Sequence, residues 1–418
     1  MSNPPSRPKV QRAALVAILL MALGLRIGWA ISRSVSREEL EALPDQQQYL
    51  QIAHNVLSGE GYWFLDPRVT DKVYAFRMPG YPLFIAACGG NVRIVRVVQG
   101  VLDTSSVWAA YLLALLLFPS RTRHRVALLS AALVAFNPFL IYFCGLILSE
   151  TVFVAMLMWS MVLLVAGQGG AERKARTLLW LGGGLLLALS VLVRPSALAL
   201  PLVLGIAAAF VNRKKGGSYH LRWPLPVGTT MLLWLIVVLT PWALRNYRVL
   251  HQWVFLDTNS GFTFYDGYNP DATGASDQRF VKDMPQLRPM SEVERSRYLQ
   301  NLAIEWARNN PRRVLELMRA RLVRTWSPVP LSDQYAGRLY QLVGLCFSLP
   351  LDLLILWGLM NADLSRAGKV FLLIPAIYLS GIHMLTVGSL RYRLPAEPPM
   401  ALLAAGGLVG MKRMVNDE

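Results

Sequence analysis

Cysteine and histidine are scarce in this chain, and acids are outnumbered: 418 residues hold 3 cysteines, 5 histidines and 25 acidic residues against 42 lysines and arginines. Cys88, Cys144 and Cys346 sit in or beside apolar runs at no metal spacing, which argues against a disulfide framework. His54, His124, His220, His251 and His383 are scattered without an HExxH or paired-ligand pattern, so no metal is expected. There is no Walker loop and no GxGxxG opening a helix. Gly182, Gly183 and Gly184 fall inside an apolar span, where small residues serve close helix packing. No nucleotide site and no cofactor are expected, and no internal repeat marks a solenoid.

Apolar sequence is what the chain has in abundance. Hydrophobic residues make up 54% and charged residues 16%, with mean hydropathy +0.39, too apolar for a soluble enzyme. A bilayer core takes about 20 apolar residues per helix. About ten segments qualify: 12–32, 92–118, 125–143, 147–167, 176–193, 196–212, 224–244, 338–360, 369–387 and 394–411. Residues 79–90 are apolar but short, and read as an interfacial or re-entrant helix. The first run, behind Arg7, Lys9 and Arg12, lacks a small-residue cleavage site and reads as an uncleaved helix. The expected class is an all-α polytopic membrane protein with interfacial helices on its outer face.

The net charge of +17 is distributed as a topology signal rather than a nucleic-acid footprint. With the N-terminus cytoplasmic, the clusters Arg121/Arg123/Arg125, Arg173/Lys174/Arg176, Arg213/Lys214/Lys215, Arg366/Lys369 and Lys412/Arg413 all fall inside, as does the C-terminus. Two long polar segments, 33–91 and 245–337, are then exterior. This divides the chain into 1–244, a membrane module that includes the first exterior loop, 245–337, an exterior helical subdomain, and 338–418, the last membrane helices. The bilayer is the one partner that composition alone names.

In the first exterior segment, Tyr49, Ile52, Ala53, Val56 and Leu57 recur at helical spacing after Pro44 and Asp45, with Asp45 placed to act as N-cap. Arg77 follows in "KVYAFRMPGYPLF", where prolines and a glycine form a rigid turn at the membrane surface, and a guanidinium there matches a lipid phosphate. In the second segment, Ser291 and Glu294 make a capping box, and Pro311 splits the helical run that follows. Residues 259–274, with Tyr265 and Asn269, suit contact with a sugar or polymer.

Charges at outer helix ends are not required by the insertion rule and are costly near hydrocarbon, so they call for a ligand. Glu150 in "GLILSETVFVAM", Arg194 in "LVRPSAL", Arg245 in "PWALRN", and Arg391 with Arg393 in "SLRYRLPAEPP" are of this kind. With Arg77 they make a cationic pocket in which Asp45 and Glu150 are the acids. An anionic lipid-linked ligand is the simplest occupant.

The series "DQQQYLQIAHNVLSGEGY", "FRMPGYPLF", "ILSE", "VRPSALALP", "PWALRN" and "RYRLPAEP" resembles integral membrane glycosyltransferases of the GT-C fold. The nearest groups are the protein O-mannosyltransferases and the aminoarabinose transferases that modify lipid A. The resemblance implies inverting transfer of a sugar from a polyprenyl-phosphate donor (undecaprenyl phosphate in bacteria) to a lipid, glycan or protein acceptor at the non-cytoplasmic face. It assigns Asp45 as the general base, Arg77 to the donor phosphate and Glu150 to orienting a substrate, with Arg245, Arg391 and Arg393 as further phosphate contacts. Tyr49, Tyr81, Arg194, Asn246, Tyr265 and Asn269 are the remaining candidates for substrate contact. The compact build points to a bacterial inner membrane. Two features depart from the pattern: Gln46 stands where the mannosyltransferases commonly carry a second acid, and 245–337 holds no carbohydrate-binding module. A transporter or flippase for a polyprenyl-linked or anionic substrate is the competing class. It should carry its charges near mid-membrane.

Overall fold

The structure, a computed structural model, describes residues 7–168, 172–211, 227–331 and 337–414; the Arg213/Lys214/Lys215 cluster lies outside them. In chain order the elements are α1 (Arg7–Ser32), α2 (Arg37–Glu41), α3 (Pro44–Leu57), β1 (Phe64–Asp66), β2 (Asp71–Val73), α4 (Gly80–Ala87), α5 (Val92–Leu117), α6 (Arg123–Ala135), α7 (Pro138–Cys144), α8 (Glu150–Ala166), α9 (Arg173–Val193), α10 (Leu200–Val211), α11 (Val227–Leu250), α12 (Asn259–Gly267), α13 (Phe280–Asp283), α14 (Glu292–Asn309), α15 (Pro311–Trp326), α16 (Arg338–Asn361), α17 (Arg366–Met384) and α18 (Glu397–Met414). The strands pair as one short antiparallel hairpin, Phe64 opposite Val73 and Asp66 opposite Asp71.

Among the described residues six helices (α1, α5, α9, α11, α16 and α17) are long and apolar enough to cross a membrane. A seventh span is counted if α6 and α7, bent by 51° at their junction, act as one. The other expected spans are helical but differ in kind: α8 and the Pro195–Val211 stretch are shorter, and α18 carries Glu397, Lys412 and Arg413. The chain is thus an integral multi-pass membrane protein with six or seven full-length candidate spans where the sequence led us to expect about ten.

Helices in lipid gain little from apolar burial against one another, so packing and buried polar contacts decide their arrangement. α8 is apolar all round and is the central helix, burying Phe153, Leu157, Met161 and Leu164. α11 buries Met231, Leu235 and Val238 and turns Leu232, Leu233, Ile236 and Val237 outward, the pattern of a lipid-facing helix. A fully buried ion pair joins α1 to α5 within the bundle. Arg26 of α1 donates to Asp103 of α5 at 2.5 Å, and to the Ala135 and Val134 carbonyls at 2.8 and 3.0 Å. Those carbonyls belong to the end of α6, where the Asn137-Pro138 break leaves backbone acceptors without helical partners.

The two polar segments fold together at one end of the bundle. Ile52, Phe64, Val73 and Phe76 from the first share a core with Phe262, Leu287 and Leu299 from the second, each large side chain contributing about 1.5–3 kcal/mol on burial. Glu292 accepts the backbone N–H groups of Tyr74 and Ala75 at 2.6 and 2.9 Å, tying α14 to the turn that carries Arg77. Gly261 of α12 has no room for a side chain: a Cβ there would stand 2.0 Å from the Ser296 carbonyl oxygen of α14. Ser291 and Glu294 form the expected capping box, and Pro311 opens α15 directly after α14. The expected cap at Asp45 is not found. Leu43 holds the N-cap position without a side-chain bond, Pro44 opens α3, and Asp45 stands one residue inside, its carboxylate turned to arginine instead.

Candidate functional site

Asp45 owes its place to Pro44, whose fixed φ suits the first turn of a helix, and to the partial positive charge of that helix start, which favours a carboxylate. One Asp45 oxygen is ion-paired to Arg77 Nη2, and the other accepts from Arg391 Nη2 at 2.9 Å. Gln48, one helical turn on from Asp45, accepts from Arg77 Nε at 2.8 Å, so both groups on this face of α3 hold the same arginine.

Gln46 explains what the departure from the family pattern does here. Its amide donates to the Glu39 and Leu40 carbonyls (3.1 and 3.4 Å) and its oxygen accepts from the Ile147 N–H at 2.9 Å. A carboxylate has no donor for the first two. The amide therefore fastens α3 to the segment leading into Glu150.

Arg77 is set by its turn. The Tyr62 hydroxyl is within 2.9 and 3.1 Å of the Arg77 and Met78 carbonyl oxygens, and the guanidinium lies over the Tyr49 ring at 5.2 Å. Immediately after it, Gly80 meets the end of α9: a Cβ there would lie 2.8 Å from the Leu192 carbonyl. That close approach brings the Arg77 turn alongside Arg194, which closes α9 in an extended conformation ahead of Pro195. Arg194 Nη1 stands 3.0 Å from Glu150 Oε1, and Arg391 Nε stands 2.8 Å from the same oxygen. Arg391 itself rides a single 3₁₀ turn, Leu390–Tyr392, between α17 and α18.

The result is one chain of charge, Arg77–Asp45–Arg391–Glu150–Arg194, with three cations against two anions. Burial by itself would raise the Asp45 carboxyl, but the charges of Arg77 and Arg391 and their hydrogen bonds outweigh it and hold the group well below the usual carboxylate range. Both Asp45 oxygens are engaged by arginine, whereas both arginine contacts of Glu150 fall on Oε1 and its Oε2 is buried without a partner; no group of three or more His, Cys, Asp or Glu side chains that could hold a metal ion occurs among the described residues.

A cavity of about 1290 Å³ opens over this cluster. One wall is apolar, made by Trp29 of α1, Phe139, Ile141 and Phe143 of α7, and Leu339 and Val343 of α16. The other is polar, made by α3, the β-hairpin, α12 and the segment 273–282. Asp45, Arg77 and Arg391 line the cavity; Arg77 Nη1 and Arg391 Nη1 have no hydrogen-bond partner among the described residues.

The remaining sequence candidates lie elsewhere or are committed. Arg245 spends its Nη groups on the Tyr74 and Tyr62 carbonyls, both at 2.6 Å, and on Asn246. Asn246 donates to the Val254 carbonyl. Arg393 pairs with Glu397 at 2.8 Å and donates to Ser348 Oγ and the Ser327 carbonyl. The hydroxyl of Tyr81 donates to Gln99 at 2.6 Å, and Tyr49 packs edge-on against Tyr81. Tyr265 packs on Phe280, and Asn269 braces its own turn through the Tyr265 carbonyl and the Asp271 N–H. Gln48, Asn259, Thr263 and Tyr392 also line the cavity without having been named as candidates; Asn259 and Thr263 fall within the 259–274 segment expected to contact a sugar, and Gln48 is marked by its spacing from Asp45.

No family model matches the chain, and no curated protein matches it. Solved structures do. The Archaeoglobus fulgidus oligosaccharyltransferase tethered to an acceptor peptide aligns over 98% of this chain and 50% of its own, at 15% identity and a TM-score of 0.54. The same organism's AglB, in complex with an inhibitory peptide and a dolichol-phosphate, aligns over 97% of this chain and 51% of its own, at 14% identity and a TM-score of 0.52. The chain spans about half the length of these oligosaccharyltransferases. At this identity the likeness is one of fold, and the fold is GT-C.

Proposed function

We propose that the chain is an inverting glycosyltransferase, taking a sugar from a polyprenyl-phosphate donor to an acceptor hydroxyl at the non-cytoplasmic face of a bacterial inner membrane. The observation that carries this reading is the position of two unspent arginine nitrogens, Arg77 Nη1 and Arg391 Nη1. They flank Asp45 where an apolar cavity wall meets a polar one. A lipid phosphate suits that junction. Its isoprenoid chain lies along Trp29, Phe139 and Val343, and its phosphate oxygens take the open guanidinium faces. The dolichol-phosphate bound to the archaeal oligosaccharyltransferase is a ligand of this class.

The acceptor hydroxyl loses its proton to Asp45 as its oxygen attacks the anomeric carbon. The bond from that carbon to the phosphate oxygen breaks, and the electron pair leaves with the polyprenyl phosphate. The phosphate gains one negative charge in that step, and the arginines stabilise it more in the transition state than in the ground state. Asp45 held by two arginines is a weak base, and a donor phosphate corrects this. It draws Arg77 and Arg391 toward itself, and the Asp45 carboxyl rises toward the range of a working base. Donor binding thus primes the base before the acceptor reacts. Glu150, beneath Arg391, keeps that arginine in place.

The test is transfer of radiolabelled sugar from polyprenyl phosphate to extracted envelope acceptors by the purified protein and by Asp45→Asn. Equal turnover in the two removes the base. Movement of lipid-linked sugar across vesicles without transfer makes the protein a transporter.

A further inference from the structure

We propose that the polar wall of the cavity binds a neutral saccharide, which makes the acceptor a sugar hydroxyl rather than a peptide or an anionic group; the acceptor role rests on the transferase reading. Chemically, the wall divides into groups that are spent and groups that are not. Two of its arginines and two of its aspartates are spent on each other. Arg68 Nε reaches both Asp66 oxygens (2.9 and 3.2 Å), its Nη2 reaches Asp66 at 2.7 Å, and its Nη1 donates to Gln278 at 2.5 Å. Arg279 is paired with Asp277 in the same way, at 2.9 and 2.5 Å. Lys282 is left at the exposed rim, and Arg324 stands near the Leu331 carbonyl at 3.5 Å.

Apart from Lys282 and Arg324, whose Nε is buried without a partner, the unspent groups of the wall are neutral. The side chains of Gln47, Asn259 and Thr263 line the cavity and make no hydrogen bond within the described residues, and Asn259 Oδ1 is buried without a partner. A polar atom in that state favours a ligand that supplies the missing bond. Amides and hydroxyls offering both donors and acceptors match sugar hydroxyls, which do the same. Gln47 and Asp45 point to different sides of α3, yet both line the cavity, so a saccharide that spans it reaches from one to the other. A peptide entering by strand addition would use the β1 edge, and the Leu65 N–H on that strand already donates to Gln51 at 3.2 Å.

The experiment is saturation-transfer NMR on the full chain in phosphatidylcholine nanodiscs saturated with undecaprenyl phosphate. Three probes are compared: neutral linear gluco-, manno- and galacto-oligosaccharides, an oligogalacturonate, and a serine/threonine-rich peptide. A neutral oligosaccharide should give the signal. Asn259→Ala/Thr263→Val, and separately the exposed Gln47→Ala, should weaken its binding by about two- to tenfold, the value of one lost hydrogen bond, with undecaprenyl phosphate binding unchanged. The proposal is overturned if only the peptide or the oligogalacturonate binds, or if neutral-sugar binding ignores all three substitutions. If a neutral sugar binds as described and undecaprenyl phosphate does not bind at all, the saccharide site stands and the donor reading falls.

Discussion

Two buried arginine–carboxylate networks in this protein use the same residue types to opposite ends. At Arg26–Asp103 one arginine faces one carboxylate, and its remaining nitrogens are taken by the carbonyls of Ala22, Ala135 and Val134. At Asp45–Glu150 three arginines face two carboxylates, and two of those arginines line the cavity with an Nη1 that has no partner among the described residues. The first is balanced in charge and leaves no arginine nitrogen without an acceptor; the second carries surplus charge and unspent donors. What separates a structural arginine from a ligand-binding one is therefore where the unsatisfied N–H groups stand: the Nη1 groups of Arg77 and Arg391 belong to residues that line the cavity, whereas Arg245 and Arg393 do not line it, Arg245 having both Nη groups and Arg393 all three nitrogens taken.

The sharpest way to break this contrast is to neutralise one acid in each network. Asp45→Asn should lower transfer by about 10²–10⁴-fold, the usual contribution of a general base, with only a minor loss of stability because its side chain is 22% exposed. Asp103→Ala should do the reverse. Leaving Arg26 buried and unpaired costs about 3–5 kcal/mol of stability, and replacing both partners with apolar residues, as in Arg26→Met/Asp103→Leu, should recover most of it. If Asp103→Ala is as stable as wild type, the Arg26–Asp103 network is not structural. A smaller effect separates the arginines. Arg77→Ala and Arg391→Ala should each weaken polyprenyl phosphate binding by about 10–100-fold, the value of a hydrogen bond to a charged group. Arg245→Ala and Arg393→Ala should lower stability and leave the affinity of the folded protein alone. Equal affinity losses in all four would erase the distinction.

The same accounting shows what the sequence was able to reveal. Membrane helices were legible because apolar length is a local property, and so were the Ser291 box and the break at Pro311, each read from a few neighbouring residues. The gathering of Asp45, Arg77, Glu150, Arg194 and Arg391 was expected from charges that the insertion rule does not explain. Which arginines would be spent was not legible, because that depends on carbonyls left free far along the chain, such as Tyr74 for Arg245. The hairpin Phe64–Asp66/Asp71–Val73 was missed because three-residue strands carry no periodicity. The cap reading of Asp45 failed for a related reason: a carboxylate at a helix start serves either the backbone or a distant cation, and only the fold supplies the cation.

Acidity gives the gentlest probe of the contrast, because Asp45, which lines the cavity, and Asp266, which braces part of its wall, shift in opposite directions. Asp45 is held low by arginine charge, whereas Asp266 of α12 is buried without a paired cation and is pushed up to about 6. Asp266 accepts from Ser276 Oγ at 2.6 Å and from the Asp277 N–H at 2.7 Å, so it pins the segment 273–282 that forms part of the polar wall. A carboxyl raised in the folded state contributes stability that is fully present below its unfolded value of about 4 and is lost as pH rises through the folded value. A depressed one contributes above about 4 and loses its contribution only as pH falls through the folded value. Between pH 5 and 7 the Asp45 cluster should not change, while the 273–282 segment should be better protected at pH 5. Asp257, also raised to about 6 at the start of α12, adds in the same direction. Hydrogen-exchange protection factors for that segment, corrected for intrinsic rates, should fall from pH 5 to pH 7 in the wild type. Asp266→Asn should flatten most of the slope and leave the residual of Asp257. A segment whose protection is the same at both pH values would mean that Asp266 is not what holds the polar wall in place.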